Sequence, residues 1–191
     1  MPEAQGVDEV HIDKTGRFVF INTTQQGPPD SIIEGNVRDL ASGSLTALTD
    51  GSPDFNATHY DLGTGITIGS DNWNNRVTRR ELSDPHAFQE VFSLGNDWTI
   101  AVHFSLLAED EAWFLASFYA GDPPGVFRGE IVQIASDGSG NVRRLAHHRS
   151  IFSDYYDSPR ANSSYDGCYV AFTSNWGGSG RRDVFLLNLS R

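Results

Sequence analysis

YDGCYVAFTSNWGGSGRRDVFLLNL, residues 165–189, reads as a strand, a glycine-rich turn and a second strand. TGRFVFINTTQQGPPDSIIEGNVRDL, residues 15–40, repeats that pattern near the other end of the chain. Self-similarity at a period of roughly 40–50 residues, with several short strands per repeat, marks a β-propeller in which one repeat builds one blade. Outward from these copies the chain divides into four units, at about 7–50, 55–93, 97–146 and 157–191, within one propeller domain.

Short β-branched and aromatic runs stand between Gly, Asn, Asp and Pro clusters, and helical periodicity is almost absent. In the first unit this predicts strands at Glu9–Ile12, Phe18–Asn22, Ser31–Asp39 and Leu45–Thr49, with Gly16 and Gly43 taking positive φ in tight turns. The second unit, the least regular, carries Thr58–Asp61, Ile66–Gly69, Arg76–Leu82 and Phe88–Phe92. Thr99–Leu106, Ala112–Tyr119, Glu130–Ala135 and Val142–Leu145 form the third. The fourth has Pro159–Ser163, Cys168–Ser174 and Asp183–Leu189, and lacks its last strand. The expected fold is all-β: about four antiparallel four-stranded blades, the last incomplete, as part of a larger ring.

These residues resemble the TolB-like, or WD-like, β-propeller repeat: a small-residue strand, Asp-Gly, an aromatic-aliphatic strand ending Phe-Thr-Ser, a glycine loop and an aliphatic strand. Ser163 to Leu189 follow the pattern closely, Asp13 to Asn22 less so, Asp137-Gly138 and Glu111–Phe118 in part, and the second unit only in outline. The resemblance implies rings of about six to eight blades. Four units are then a fragment of a ring or a half-ring that pairs with another copy. An open propeller exposes strand edges and inter-blade faces, so a homodimer through those edges is one expected assembly.

Composition narrows the partners. The chain of 191 residues is 38% hydrophobic and 20% charged, enough for an ordinary core. Its formal net charge of −11 makes nucleic acid or an anionic membrane surface a poor partner. Arg79-Arg80, Arg143-Arg144 and Arg181-Arg182 read as solvated strand ends. Cys168 is the single cysteine, which excludes an intramolecular disulfide and a cysteine zinc site; its strand context suggests a small buried residue. MPEAQGVDEV is no signal peptide and no window is apolar enough for a membrane span, so a soluble chain is expected, of unknown compartment.

Two groups of residues are candidates for a site. First strands of propeller blades line the central channel, which places His11, His59, His103 and Arg160 toward one axis. Three imidazoles there could ligate a divalent metal, although nothing else supports a cofactor and the expectation is none. One residue of shift in a strand turns a side chain to the other face, and the offsets of these histidines from their turns differ. The second group lies in the connection between units three and four: His147-His148-Arg149-Ser150, then Asp154-Tyr155-Tyr156-Asp157. Adjacent histidines in extended chain point oppositely, so one of the two at most faces a given site.

That connection also resembles the oligogalacturonate lyases, whose Gln-x-x-His-Pro-His metal motif precedes the Asp-Gly blade strand. Here Tyr155-Tyr156-Asp157-Ser158-Pro159-Arg160 occupies the place, and Tyr155, Ser158 and Arg160 stand at the ligand positions. The departure supports a propeller and argues against the lyase activity. Gly177-Gly178-Ser179-Gly180 is no nucleophile elbow, and the Asp/Asn-rich segments 70–75 and 136–141 lack calcium-loop spacing and read as turns.

The preferred reading is a non-catalytic binding or scaffold propeller that takes a protein, peptide or saccharide on its rim or channel, with Trp73 and Trp176 as aromatic anchors. The alternative is a carbohydrate-active or hydrolytic propeller with a histidine-lined channel.

Overall fold

The computed structural model of the chain describes residues 6–24, 35–48, 57–72, 74–119 and 127–190. Four antiparallel sheets account for its strands, and each sheet is one blade with its strands in chain order. Blade 1 is β1 (Gly6–Ile12), β2 (Phe18–Thr24), β3 (Gly35–Asp39) and β4 (Leu45–Ala47). Blade 2 is β5 (Ala57–Leu62), β6 (Ile66–Asp71), β7 (Arg76–Glu81) and β8 (Asp84–Ser93). Blade 3 is β9 (Ala101–Ser105), β10 (Trp113–Tyr119), β11 (Glu130–Ala135) and β12 (Val142–His147). Blade 4 has three strands, β13 (Asn162–Ser163), β14 (Tyr169–Ser174) and β15 (Asp183–Asn188). The incomplete fourth blade and the all-β class are as the sequence predicts, and the second unit is a full four-stranded blade. Residues 31–34 and 49 of the expected strands lie outside the described residues.

Two compact units divide the chain, Met1–Glu90 with blade 1 and most of blade 2, and Val91–Arg191 with blades 3 and 4. In the first, Phe18, Phe20, Val37, Leu48, Tyr60, Leu62 and Leu82 form one buried cluster. In the second, Leu115, Ile131, Ala161, Val170 and Phe172 are buried together, with Phe185 and Leu187 of β15 packed against them. Strand alternation produces these cores: along β15 Phe185 and Leu187 turn inward while Val184 and Leu186 stay exposed. Each large side chain so buried contributes about 1.5–3 kcal/mol.

Neighbouring blades within a unit are stitched at their first turns. The Lys14 N–H donates to the Gly63 carbonyl at 3.0 Å in the first unit, and the Glu109 N–H donates to the Tyr165 carbonyl at 2.7 Å in the second. Asp13 reinforces the first of these. Its buried carboxylate accepts the N–H groups of Thr15, Arg17, Phe18 and, from blade 2, Gly65. Gly16 and Gly43 hold φ of 72° and 77°, the conformation their hairpins require.

The structure corrects two expectations. Cys168 precedes β14 in the 164–168 hairpin, half-buried, with its N–H and S–H both directed to Asp166, because the strand core begins only at Val170. Arg80 is no solvated strand end: it is buried inside β7, donates to the Pro85 carbonyl at 2.7 Å and lies over the Phe88 ring. Asp71 and Asp137, in the two Asp/Asn-rich segments, serve as turn acceptors for Asn74 and Ser139. Among the described residues no helix is long and apolar enough to cross a membrane.

Candidate functional site in the second unit

His103 sits on β9 and Tyr119 ends β10, the strand paired beside it. The Tyr119 hydroxyl and His103 Nε2 share a hydrogen bond of 2.9 Å, and the two rings stack with centroids 5.0 Å apart. Burial pushes the Tyr119 hydroxyl up to about 12, against the opposing charge of Arg160. Phe152 packs on Tyr119 at 5.1 Å. Arg160 arrives from the segment before β13, with its guanidinium 4.3 Å from the centre of the Tyr155 ring and its Nε donating to Ser158 Oγ at 3.2 Å. Two of the four first-strand candidates, His103 and Arg160, thus act on one tyrosine. Tyr119 itself was not singled out by sequence reasoning; its only signal is its place at the end of the strand paired to His103.

The connection between blades 3 and 4 is built to hold this surface. Asp154 caps the 3-10 turn Tyr155–Asp157 by accepting the Tyr156 N–H. Asp157 is buried and accepts from Ser153 and from Arg182 Nε at 2.8 Å. Burial raises its pKa, and the hydrogen bonds from Ser153, Arg182 and Asn175 outweigh that and hold it at about 2. Asn175 grips the other end, accepting the Ile151 N–H and donating to the Ile151 carbonyl. Tyr155 and Tyr156 meet edge to face at 5.4 Å and remain 62% and 69% exposed.

His147 ends β12 and His148 follows it, and the two rings lie 5.9 Å apart but differ in burial. His147 is exposed, whereas His148 is 2% exposed and structural. Its Nδ1 accepts the Ser150 N–H at 3.0 Å, so Nε2 carries the proton and donates to the Phe118 carbonyl at 2.9 Å. Burial pushes its pKa down and favours the neutral ring.

Trp176 projects from the β14–β15 turn, 54% exposed, with φ of 40°. One face stacks on Phe185 at 4.9 Å, and Ser179, Arg181 and Asp183 complete an open depression of about 490 Å³. A second depression, of about 640 Å³, lies by the first turns of blades 3 and 4, where Arg143 covers the Trp113 ring at 3.7 Å and Asp110 and Asp166 line the wall.

In the first unit His11 is exposed, 3.7 Å from the Glu9 carboxylate and edge-on to Tyr60 at 5.3 Å. A β-bulge between Thr58 and Tyr60 leaves His59 exposed with φ of 35° and puts Tyr60 beside His11. Trp73 lies outside the described residues. Among those residues no three His, Cys, Asp or Glu side chains gather as a metal site requires.

No family model matches the sequence, and neither does any curated protein sequence. Solved structures do. TolB from Acinetobacter baumannii superposes with a TM-score of 0.63 at 17% identity over 97% of this chain and 41% of its own. An oligogalacturonate lyase in complex with manganese gives 0.59 at 13% identity, covering 92% of this chain and 46% of the lyase. A nidogen/laminin complex gives 0.53 at 13% identity, with 95% and 65% covered. The chain spans less than half the length of TolB and of the lyase. Its neighbours in fold thus include both an enzyme and a protein–protein complex, and at these identities the likeness establishes the fold alone: the chain is built of four β-propeller blades.

Proposed function

We propose that this chain is a non-catalytic propeller module that binds a protein, peptide or saccharide through the aromatic surface of its second unit. The observation that carries the reading is the exposure of Tyr155, Tyr156 and Trp176 on segments anchored by Asp157 and Asn175. Rigid, exposed aromatic side chains supply large contact area at small entropic cost, and such residues dominate binding surfaces. The positive φ of Trp176 and Arg160 adds support, since strained non-glycine backbone concentrates at ligand-facing positions. Peptide and glycan arrays probed with the labelled chain test the reading. Binding weakened by Tyr155→Ala or Trp176→Ala is expected; silence on both arrays, or binding indifferent to both substitutions, would sink it.

A carbohydrate-active enzyme is the second reading, favoured by the structural likeness to the oligogalacturonate lyase. Turnover of an acidic oligosaccharide, followed by ultraviolet absorbance of an unsaturated product, would displace the binding reading. Self-association through exposed blade faces belongs to the same proposal, with Val184 and Leu186 of β15 as the contact.

A further inference from the structure

We propose that Arg160, laid on the Tyr155 ring beside the Tyr119–His103 pair, is the receptor for a carboxylate group of the ligand. The inference rests on the binding function above and names the chemistry of what is bound.

Among the described residues of the second unit some arginines pair with a carboxylate, and Arg160, like Arg143 and Arg149, does not; what Arg160 adds is a guanidinium held on the Tyr155 ring. In the second unit Arg144 pairs with Glu130, Arg181 with Asp183, and Arg182 with Asp154 and Asp157. Among the described residues Arg160 has no carboxylate partner, although the chain carries a net charge of −11. Ser158 occupies its Nε and Tyr155 one face of the guanidinium, which leaves the two terminal nitrogens to an incoming group. That is the fork that matches the two oxygens of a carboxylate.

The surroundings strengthen such a pair. Buried Tyr119 and the packed ring of Phe152 lower the local dielectric beside an exposed cation, and an ion pair gains strength there. Burial keeps the Tyr119 hydroxyl protonated, and Phe152 and Tyr155 present apolar surface to the carbon skeleton. One cation suits a monoanion. A phosphate site draws instead on several cations or a nest of backbone N–H groups.

Two sources carry this group, a peptide and an acidic sugar, and paired probes separate them. Calorimetry on the full chain compares N-acetyl-dialanine with its amide, and glucuronic acid with glucose. The expected result is that one acid binds roughly tenfold or more tightly than its neutral partner, as a charge-assisted bidentate pair predicts. Arg160→Gln should abolish that preference and Arg160→Lys restore part of it, with circular dichroism unchanged in both. Equal binding of acid and neutral partner, or an acid preference that survives Arg160→Gln, overturns the carboxylate inference. Neither result touches the aromatic surface, whose own failure is read from silent arrays.

Discussion

The Asp13 carboxylate accepts the Gly65 N–H at 3.1 Å, so that one side chain in the first turn of blade 1 holds the first turn of blade 2. The same carboxylate closes its own hairpin through the N–H groups of Thr15, Arg17 and Phe18. Burial raises its pKa, and the bonds from Thr15, Phe18 and Gly65 outweigh that and lower it below the ordinary value. Asp13→Ala leaves these donors without their acceptor and should cost the first unit about 2–4 kcal/mol, because buried unsatisfied donors cost about 1–3 kcal/mol each and water reaches some of them. Urea denaturation at neutral pH measures it. With its folded pKa depressed, the Asp13 contribution is present above pH 3.8 and fades as the pH falls further.

His148 makes the second unit acid-sensitive at a milder pH. Its folded pKa lies below 6.5, so the unfolded chain takes up the proton first and stability declines as the pH drops through that value. His148→Gln, which keeps a donor for Phe118 and does not titrate, should flatten the decline between pH 7 and 5, roughly the range in which an unperturbed histidine titrates. Thermal melts of both proteins across that range decide the matter; parallel curves would show that His148 plays no part.

Removing the charge of Asp157 should loosen the aromatic connection before it unfolds the blades. Asp157→Asn retains the shape but weakens the bonds from Ser153 and Arg182, at about 1–2 kcal/mol once the half-exposed position of Arg182 is discounted. Limited chymotrypsin digestion reads it as faster cleavage after Tyr155 and Tyr156. An unchanged cleavage rate would show that Asn175 alone anchors the segment.

Val184 and Leu186 leave an apolar stripe on the last strand of blade 4. A chain that pairs through this face should give twice its monomer mass by light scattering, and Val184→Lys with Leu186→Lys should return it to one copy. Monomeric behaviour of the unmodified chain would remove the homodimer from the proposal.

Hairpins were legible because their determinants are local. Asp13 to Gly16 write a turn, Phe18 to Asn22 write a strand, and the structure places β2 at Phe18–Thr24. The strand pattern around Cys168 does not say where along the strand the core begins, which is at Val170. The Arg79-Arg80 pair reads as uniformly polar in sequence, whereas Arg80 faces Phe88 and Pro85.

What the amino-acid sequence determined by itself is the repeat, the all-β blades and their short turns, since each depends on alternation and turn residues within a few positions. Tertiary structure alone decided the candidate site. Tyr119 meets His103 only through the pairing of β10 with β9, sixteen residues apart in the chain, and the charge of Arg160 acts on Tyr119 only through the placement of a connection that Asp157 and Asn175 hold. The bulge that leaves His59 exposed and brings Tyr60 to His11 is likewise a property of paired strands: one inserted residue shifts every side chain after it, and nothing in a single strand's sequence records where that residue falls.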